Sequence, residues 1–375
     1  MKIRLLKYVD KIFSTLLTRF LTTPRPRPLL TPERILIIRP GGIGDAVHLI
    51  PAIKTLKKNF PETIIDVLAE KRNGKVFSLS HDVARVIHYD KLPELLKVFT
   101  GRYDVVIDTE QWHYLSAVIA RLSGAAKIIG YATNERKKLF THPVHYSHGD
   151  YEVDSFKNLL APFNLKMEAD STPPYLTVPI SAVQKADQLL AILAKKPFIA
   201  LFPGASIPER RWGMNNFMAL AECLYEKGFP FVVIGGSNDA ADGERIAGRG
   251  HGLNLSGKTS LVETAALVDR SAVLISGDTG ILHIGVGLGK ATVSLFGPGI
   301  ADKWAPRGEP HVILNKRLPC SPCTKFGYTL QCPINAKCMS DISVDEVLQG
   351  VERLMRITAT KMDEVGLIKT SKQIP

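Results

Sequence analysis

The sequence predicts an α/β protein built on two doubly wound parallel sheets, and three observations support this. Short, continuous apolar runs alternate with helical stretches from residue 34 onward, which is typical of parallel strands buried on both faces. The alternation loosens between about residues 132 and 150, reaches a Pro-containing linker, STPPYLTVPI (171–180), and then restarts. The strands of the second half end in glycine. Two Rossmann-like domains that face each other across a cleft are therefore expected.

The elements of the two halves can be assigned in chain order. The first half has a predicted helix over 45–59 and strands at RILIIR (34–39), TIIDVLA (63–69), RVIHY (85–89), YDVVIDT (103–109) and KIIGY (127–131). The second half has strands at FIALFPG (198–204), PFVVIGG (230–236), AVLISGDTG (272–280) and ATVSLFG (291–297), with helices near 214–227, 239–248, 260–270 and 281–289. Ligands of such folds bind beyond the carboxyl ends of the strands, which directs attention to the loops 203–212, 235–239, 277–283 and 297–307.

The predicted organisation has four segments. They are a basic amphipathic N-terminal segment (1–30), an N-terminal Rossmann-like domain (31–178), a C-terminal Rossmann-like domain (179–345) with a cysteine cluster at 320–338, and a C-terminal helix and tail (346–375). The chain of 375 residues is long enough for two domains of ordinary size.

The formal net charge is +12, and residues 1–34 supply +6 of it. A basic balance of this kind suits an anionic membrane surface, nucleic acid or an anionic substrate, and charge alone does not choose among them. We expect no nucleic-acid partner, because the sequence has no basic and aromatic patch and no recognised binding motif.

The first 21 residues combine a helical stripe of apolar side chains with a basic opposite face. Lys7, Asp10 and Lys11 interrupt the apolar stretch that a signal peptide needs, and no later run approaches the ~20 apolar residues of a membrane span. The segment is interpreted as an amphipathic helix on the cytoplasmic leaflet of the membrane. The alternative is a helix packed on the protein's own body.

The first glycine-rich turn, RPGGIGDAVHLIP (39–51), follows a strand but does not match a phosphate-binding motif. The glycines do not have the G-x-G-x-x-G spacing, and no G-K-[ST] follows. Asp45 either completes the first turn of the helix, where the dipole stabilises its ionised form, or acts as a carboxylate base, with His48 one turn further on the same face.

The stretch GDTGILHIG (277–285) predicts a nucleotide-diphosphate site. Asp278 ends a strand, Thr279 and Gly280 open the next helix, and His283 is expected one turn in, on the exposed side. A simple capped turn is the alternative. In FPGASIPERRWG (202–213), Gly204 ends another strand, while Arg210 and Arg211 are either donors to a departing phosphate or solvated surface charges. The chain has no D-x-D triplet, which favours leaving-group stabilisation without a metal ion.

Four of the five cysteines cluster as Cys320-x2-Cys323-x8-Cys332-x5-Cys338. In a reducing compartment this pattern suggests a structural zinc or iron site, although the spacings after the first pair are irregular. Cys223 is expected to be a core residue.

The strand–GGIGDAVHLIPAI element, the FPGAS…RRWG loop, the GDTGILHIGVGLGKATVSLFGPG stretch and the following W-x-P (Trp304–Pro306) resemble the ADP-heptose:lipopolysaccharide heptosyltransferases of glycosyltransferase family 9. The resemblance runs from about residue 34 to 345. The Cys-x2-Cys…Cys…Cys-Met element before DISVDEV also resembles a feature of many members.

The resemblance implies a GT-B fold, with the acceptor bound by the N-terminal domain and ADP-heptose by the C-terminal one, and inverting transfer without a catalytic metal. Asp45 matches the family's proposed base, while Asp278, Thr279, Gly280 and His283 match its donor-binding loop. Gly204 and Arg211 are expected beside the donor, with Arg211 at a position where the family often has Lys. A lipopolysaccharide core or lipid A precursor is the implied acceptor. Together with the basic N-terminal segment, we expect a cytoplasmic protein that is peripheral on the cytoplasmic face of the inner membrane. The residues assigned to the acceptor side are Gly42, Gly44, His48, Arg72 and Arg136.

Two alternatives remain at this point. One is a transferase or epimerase that uses a different sugar nucleotide on the same fold. The other is a non-catalytic protein that binds lipopolysaccharide or lipid through its basic N-terminal segment, although such a protein would not need an acid–base group and a phosphate site.

Overall fold

The computed structural model describes residues 10, 18, 20–27, 31–165, 172–248, 250–325 and 328–371, the last thirteen by their backbone alone. The predicted amphipathic helix over residues 1–21 lies almost entirely outside the described residues.

The chain divides into two compact units, Met1–Thr177 and Val178–Pro375, each built on a six-stranded parallel sheet. The N-terminal unit has the strand order β3-β2-β1-β4-β5-β6, and the C-terminal unit has β12-β11-β10-β7-β8-β9. Both orders read 3-2-1-4-5-6 within their own unit, which is the Rossmann order, so the predicted fold class is confirmed. In this topology the strand order reverses between the first and fourth strands of each unit, and ligands bind beyond the carboxyl ends of those two strands.

The strands of the N-terminal unit are β1 (Arg34–Arg39), β2 (Ile64–Ala69), β3 (Arg85–His88), β4 (Val105–Asp108), β5 (Lys127–Tyr131) and β6 (His142–Val144). Those of the C-terminal unit are β7 (Ile199–Phe202), β8 (Phe231–Val233), β9 (Leu253–Asn254), β10 (Val273–Gly277), β11 (Ala291–Phe296) and β12 (His311–Asn315). The central strands are buried because their apolar side chains face helices on both sides; Ile35, Leu36 and Ile38 of β1, for example, are fully buried.

The helices of the N-terminal unit are α1 (Ile43–Asn59), α2 (Lys71–Gly74), α3 (Leu92–Leu95), α4 (Lys97–Thr100), α5 (Tyr114–Leu122) and α6 (Glu152–Asn158). Those of the C-terminal unit are α7 (Ile180–Leu189), α8 (Met214–Glu226), α9 (Ala240–Ala247), α10 (Leu261–Arg270), α11 (Gly280–Gly287), α12 (Ala301–Trp304), α13 (Lys337–Ser340) and α14 (Val344–Ser371). Ser260 begins α10 with a capping box, because its hydroxyl accepts from Glu263 N while the Glu263 carboxylate accepts from Ser260 N.

Where the N-terminal segment is described, it contacts the N-terminal unit. Asp10 Oδ1 accepts a hydrogen bond from Leu115 N at 2.6 Å, and Thr18 is buried. Leu21 packs against the core cluster beneath α5, and Arg27 Nη2 donates to the carbonyl of Gly124 at 2.5 Å. At these residues the segment is packed on the protein's own body. Among the described residues, no helix combines the length and the apolar character needed to cross a membrane.

Candidate active site

The turn after β1 is fixed by polar contacts from the neighbouring strand. Gly41 N donates to Glu70 Oε1 at 3.2 Å, and Asn73 Nδ2 donates to the carbonyl of Arg39 at 3.0 Å. Gly41 has φ +107°, a conformation that favours glycine, and a Cβ there would lie 3.2 Å from Arg39 Nη2. The first glycine of the turn therefore allows the backbone to pass closely over the Arg39 guanidinium.

Asp45 lies in the first turn of α1 and is half-buried. Its carboxylate turns back toward the glycines, because a Cβ on Gly42 would lie 3.2 Å from Asp45 Oδ2. Within the described part of the chain, Asp45 has no side-chain hydrogen bond and no ion pair within 4 Å. Both oxygens can therefore accept a proton or a hydrogen bond from a ligand.

A buried pair of charges lies beneath this turn. Arg39 donates through Nε to the Pro40 carbonyl at 2.6 Å, and its Nη2 lies 3.6 Å from Glu110 Oε2, at the end of β4. Burial alone would lower the pKa of Arg39, but the charges of Asp45 and Glu110 raise the pKa above its ordinary value. Burial would raise the pKa of Glu110, but Arg39 and other cations bring the pKa below its ordinary range. Both groups thus stay charged, and the positive charge of Arg39 interacts with the Asp45 carboxylate.

The structure changes the view of three residues assigned to the acceptor side. Arg136 is not a loop cation open to a ligand. It is fully buried, because its side chain forms an ion pair with Asp108 and donates to the carbonyl of Glu110. That assignment is corrected. His48 is also buried, with its ring 6.0 Å from the ring of Tyr151. Arg72 is exposed and pairs with Glu70, Nε to Oε2, at 2.8 Å.

In the C-terminal unit, Asp278 follows β10 and Arg210 follows β7, so both lie where the strand order reverses. Arg210 Nη1 is 2.8 Å from Asp278 Oδ2, and His283 Nε2 is 3.6 Å from Asp278 Oδ1. The second distance is that of a charge contact and not of a hydrogen bond. Burial would raise the pKa of Asp278, but the His283 ring and the Arg210 guanidinium outweigh burial, so the pKa lies below its ordinary value.

The Asp278–Arg210 contact leaves hydrogen-bonding capacity unused. Asp278 Oδ2 is held by the charge of Arg210 but receives no well-directed hydrogen bond from the described residues, and Arg210 Nε has no hydrogen-bond acceptor among them. Buried polar atoms in native proteins nearly always have a partner. A donor and an acceptor left over side by side at the carboxyl edge of a sheet therefore point to a polar ligand.

Glycines bring the loops around Asp278 unusually close together. A Cβ on Gly299 would lie 2.4 Å from Asp278 Oδ2, and one on Gly277 would lie 2.8 Å from the carbonyl of Arg210. At the end of β7, a Cβ on Gly204 would lie 2.8 Å from Asp239 Oδ2. The loops after β7, β8, β10 and β11 thus meet at one place, which a larger side chain would disturb.

The N-terminus of α11 adds free amide groups to this place. Thr279 is the N-cap, with its hydroxyl accepting from Leu282 N at 3.4 Å, and the first helical hydrogen bond is His283 N to Thr279 O. The amides of Gly280 and Ile281 precede that bond and, like the first amides of any helix, have no partner within the helix. Such amides, together with the helix dipole, bind phosphate and other anions.

Two expectations about the donor loop need revision. His283 was expected on the exposed side of its helix, but it is buried, because α11 is apolar on all sides and packs inside the unit. Its contact with Asp278 remains. Arg211 is exposed and donates to the carbonyl of Ala205 at 2.9 Å, whereas Arg210 reaches the buried carboxylate. The two arginines are adjacent in sequence, and the fold gives them different contacts.

The four clustered cysteines line one pocket together with Pro298 and Glu209. Cys338 is buried, and burial together with the charges of the other three thiols raises its pKa to about 11. Cys223 lies apart from this pocket, half-buried in α8. Among the described residues, no three His, Cys, Asp or Glu side chains are arranged so that they hold a metal ion. The thiols share a pocket but do not form a closed ligand set.

Sequence reasoning gave no role to Arg39 and Glu110. Arg39 is the last residue of an apolar strand, where a charged residue is unexpected unless it has a partner, and Glu110 follows the neighbouring strand β4. The position of each at the end of one of the two strands where the order reverses is the signal that identifies them.

Comparison with known proteins assigns the chain to a family. The family model described as "Glycosyltransferase family 9 (heptosyltransferase)" matches residues 95–333. The chain is 26% identical over 352 residues to lipooligosaccharide heptosyltransferase 2 of Haemophilus ducreyi, covering 86% of this chain and 99% of that protein.

Two solved structures show the same fold. The ADP-heptose lipopolysaccharide heptosyltransferase II of Escherichia coli superposes with a TM-score of 0.72 at 21% identity, over 86% of this chain and 99% of that one. The dodecameric iron-containing heptosyltransferase TibC of enterotoxigenic E. coli, in complex with ADP-D-β-D-heptose, gives 0.56 at 13% identity, over 88% and 78%. The family match spans more than half of the chain, which therefore belongs to glycosyltransferase family 9 and is a glycosyltransferase.

Proposed function

We propose that the protein transfers heptose from ADP-heptose to a sugar of the lipopolysaccharide inner core, with inversion at the anomeric carbon and without a catalytic metal ion. The observation that carries the donor half of this proposal is the cluster of Arg210, Asp278 and the α11 N-terminus, in which a buried donor and a buried acceptor lack a well-directed hydrogen bond among the described residues. Family membership and the names of the relatives support heptose and lipopolysaccharide as the substrate classes.

On the donor side, the amides at the start of α11 bind the diphosphate, and Arg210 Nε donates to a phosphate oxygen. Asp278 holds the Arg210 guanidinium in place and accepts from a hydroxyl of the nucleotide or of the sugar through Oδ2. Arg211, on the exposed side of the same loop, supplies a second cation. These groups stabilise the negative charge that develops on ADP as it leaves.

On the acceptor side, Asp45 accepts the proton of the attacking hydroxyl. The oxygen of that hydroxyl forms a bond to the anomeric carbon, the bond from that carbon to the diphosphate breaks, and the electron pair leaves with ADP. Attack from the side opposite to the leaving group inverts the configuration. The half-buried position of Asp45 and the absence of a side-chain hydrogen bond to it within the described residues suit this role.

The experiment compares Asp45→Asn with Asp341→Asn, which changes an exposed carboxylate of the C-terminal unit. Because a general base contributes about 10²- to 10⁴-fold, Asp45→Asn should lower kcat by that factor while the Kd for ADP, measured by isothermal titration, stays unchanged. Asp341→Asn should transfer at the wild-type rate. Wild-type turnover in Asp45→Asn would remove Asp45 from the mechanism.

The donor is tested by offering ADP-heptose, ADP-glucose and UDP-glucose with EDTA present. Transfer from ADP-heptose alone, at an undiminished rate in EDTA, is the expected result. Transfer from another sugar nucleotide, or epimerisation of the donor without an acceptor, would favour a different user of the same fold. Loss of activity in EDTA that Mg²⁺ restores would contradict metal-independent transfer.

We further propose a structural zinc or iron ion at Cys320, Cys323, Cys332 and Cys338, which requires the thiols to rotate toward one another within their shared pocket. Thiolate ligands are typical of structural zinc and of iron sites. Metal analysis of protein purified without chelator should find one ion per chain, lost in Cys323→Ser/Cys332→Ser and kept in Cys223→Ser. A metal-free wild-type protein with four titratable thiols in the cluster would contradict the proposal.

The remaining part of the proposal is location. The acceptor is anchored in a membrane, and the basic segment 1–30 suits an anionic lipid surface at the cytoplasmic face of the inner membrane.

A further inference from the structure

A row of large apolar side chains lies on the surface of the N-terminal unit after β3. Leu96, which joins α3 to α4, has helical angles (φ −61°, ψ −26°), so residues 92–100 follow one helical path. Leu92, Leu96 and Phe99 are spaced i, i+4 and i+7 along it and therefore share one face. They are 57%, 53% and 38% exposed, and we refer to these three residues as the apolar stripe.

The stripe is not the core-facing side of this helical path. Leu95 and Val98 point inward and pack against the cluster that contains Leu36 and Val106 of the sheet. Residues 92–100 therefore pack on the core through one face and expose a second apolar face to solvent. Single exposed apolar residues are normal, but a contiguous row marks a contact surface.

The surroundings of the stripe are basic. Lys91, Lys97 and Arg102 flank it and are exposed, against the acids Asp90 and Glu94. Lys91 forms an ion pair with Glu94, so Lys97 and Arg102 supply the positive charge beside the stripe. The acid within the segment, Glu94, is already bound, because its carboxylate accepts from Lys91 Nζ at 2.9 Å and from the backbone of His88 at 2.8 Å. Lysines beside exposed leucine and phenylalanine form the pattern of a surface that inserts apolar groups between lipids while its cations meet anionic headgroups.

The same core cluster connects the stripe to the basic N-terminal segment. Leu21 packs against the cluster that also receives Leu95, and the preceding residue, Phe20, is 80% exposed. Phe20 and Leu21 belong to residues 1–34, the part of the sequence that carries +6 of the net charge.

We propose that the apolar stripe, with its flanking cations, is a docking site for an anionic lipid surface. The inference rests on the proposed function, because a lipid-anchored acceptor brings the enzyme to the membrane. Charge complementarity favours lipid over a protein partner, and one row of three side chains is narrow compared with the ~800 Å² that each partner buries in a stable protein interface. The shallow, linear shape suits insertion at the headgroup level.

The test measures binding of the full-length protein to phosphatidylethanolamine–phosphatidylglycerol vesicles by cosedimentation, with phosphatidylcholine vesicles as the uncharged reference. Burying each half-exposed side chain contributes roughly 5-fold in partitioning, so Leu92→Ser/Leu96→Ser/Phe99→Ser should weaken binding about 100-fold. The matched control is Ile180→Ser/Ile192→Ser, which removes two side chains of the C-terminal unit that are 72% and 77% exposed.

The expected result is wild-type binding by the control, loss by the stripe variant, and weaker wild-type binding on phosphatidylcholine and in high salt. Unchanged binding of the stripe variant to anionic vesicles would overturn the proposal, as would equal loss in the control. Lys97→Gln/Arg102→Gln should reduce the salt dependence, and an unchanged salt dependence would contradict the role of the cations. Unchanged thermal unfolding of the N-terminal unit verifies that the stripe and cation variants are folded, and a wild-type Kd for ADP does so for the control in the C-terminal unit.

A second measurement separates this inference from the proposed function. The stripe variant should retain wild-type kcat on a deacylated, soluble acceptor and lose activity on the same acceptor embedded in vesicles. If the wild-type protein does not transfer heptose to either acceptor, the proposed function fails while vesicle binding still decides the docking site. If the stripe variant loses activity equally on both acceptors, the stripe acts in catalysis or folding and the docking proposal fails.

Discussion

Replacing Arg210 by Met should destabilise the C-terminal unit far more than the same change at the adjacent Arg211. Arg210 and Asp278 form a buried pair at 2.8 Å with side chains only 16% and 6% exposed. Removing one partner of a buried pair leaves the other charge uncompensated and costs about 3–5 kcal/mol. His283 remains 3.6 Å from Asp278, so the lower end of that range, about 3 kcal/mol, is expected.

The assay is thermal unfolding followed by a probe of the C-terminal unit. For a unit of this size a change of 1 kcal/mol lowers Tm by about 2–4 °C, so Arg210→Met should lower Tm by roughly 6–12 °C. Arg211 is exposed and donates to one carbonyl, so Arg211→Met should change stability by no more than about 0.5 kcal/mol. Both variants replace an arginine by methionine. A difference in Tm between them therefore does not arise from net charge or from helix propensity.

The pH dependence of the difference provides a second check. In the wild type the folded pKa of Asp278 lies below its ordinary value, so its ionisation contributes stability above about pH 4 that is lost as the pH falls through the folded pKa. Without Arg210, one of the interactions that lower the pKa of Asp278 is lost, so its ionisation should contribute less stability at neutral pH. The difference in Tm between the wild type and Arg210→Met should therefore become smaller as the pH falls toward about 4. Equal Tm values for the Arg210 and Arg211 variants, or a gap that widens in acid, would refute this reasoning.

Three further predictions follow from single contacts. Arg136→Met should cost about 3–5 kcal/mol in chemical denaturation because Arg136 pairs with a buried carboxylate, whereas Lys137→Met should change stability by less than about 0.5 kcal/mol; similar values would show that the buried pair is dispensable. Gly299→Ala places a Cβ 2.4 Å from Asp278 Oδ2, so the Kd for ADP should rise at least 10-fold in titration calorimetry while the vesicle affinity stays the same; unchanged ADP binding would separate this glycine from the donor site. Hydrogen bonds from a lysine ammonium and a serine amide lower the pKa of Glu346 to about 2, so Glu346→Gln should be less stable than wild type above about pH 4.3, with the difference vanishing as the pH falls to about 2; a difference independent of pH would contradict it.

The central strands and the long helices were predictable because their residues are buried on both faces or follow a clear period. β1 is predicted and found at 34–39, and β5 at 127–131, since each is a continuous apolar run between polar ends. Three strands were not predicted. β12 (HVILN) carries a short apolar run that the prediction missed, whereas the edge strands β6 (HPV) and β9 (LN) are too short to show an apolar pattern. Pairing with a neighbouring strand determines such elements, and a single sequence does not show it.

The candidate site was partly predictable for a related reason. The position of Asp45 and Asp278 at the ends of strands follows from the alternation of strands and helices. Which of two adjacent arginines reaches Asp278 depends on the short helical turn Pro208–Arg210, which local sequence does not specify. The burial of His283 was readable in principle, because GILHIGVG is apolar around the whole helix and such helices are buried.

The structure gives different surroundings to two aspartates that follow central strands. Asp45 and Asp278 both lie at the start of a helix that follows a strand at the order reversal, β1 in one unit and β10 in the other. Asp278 is buried against Arg210 and His283, which lower its pKa and make it a poor proton acceptor but a firm anchor for a cation. Asp45 is half-buried and has no side-chain hydrogen bond among the described residues, so its carboxylate can take up a proton. In the proposed function, proton transfer is therefore assigned to the half-buried Asp45 carboxylate, and charge stabilisation is assigned to the unit in which Asp278 is paired.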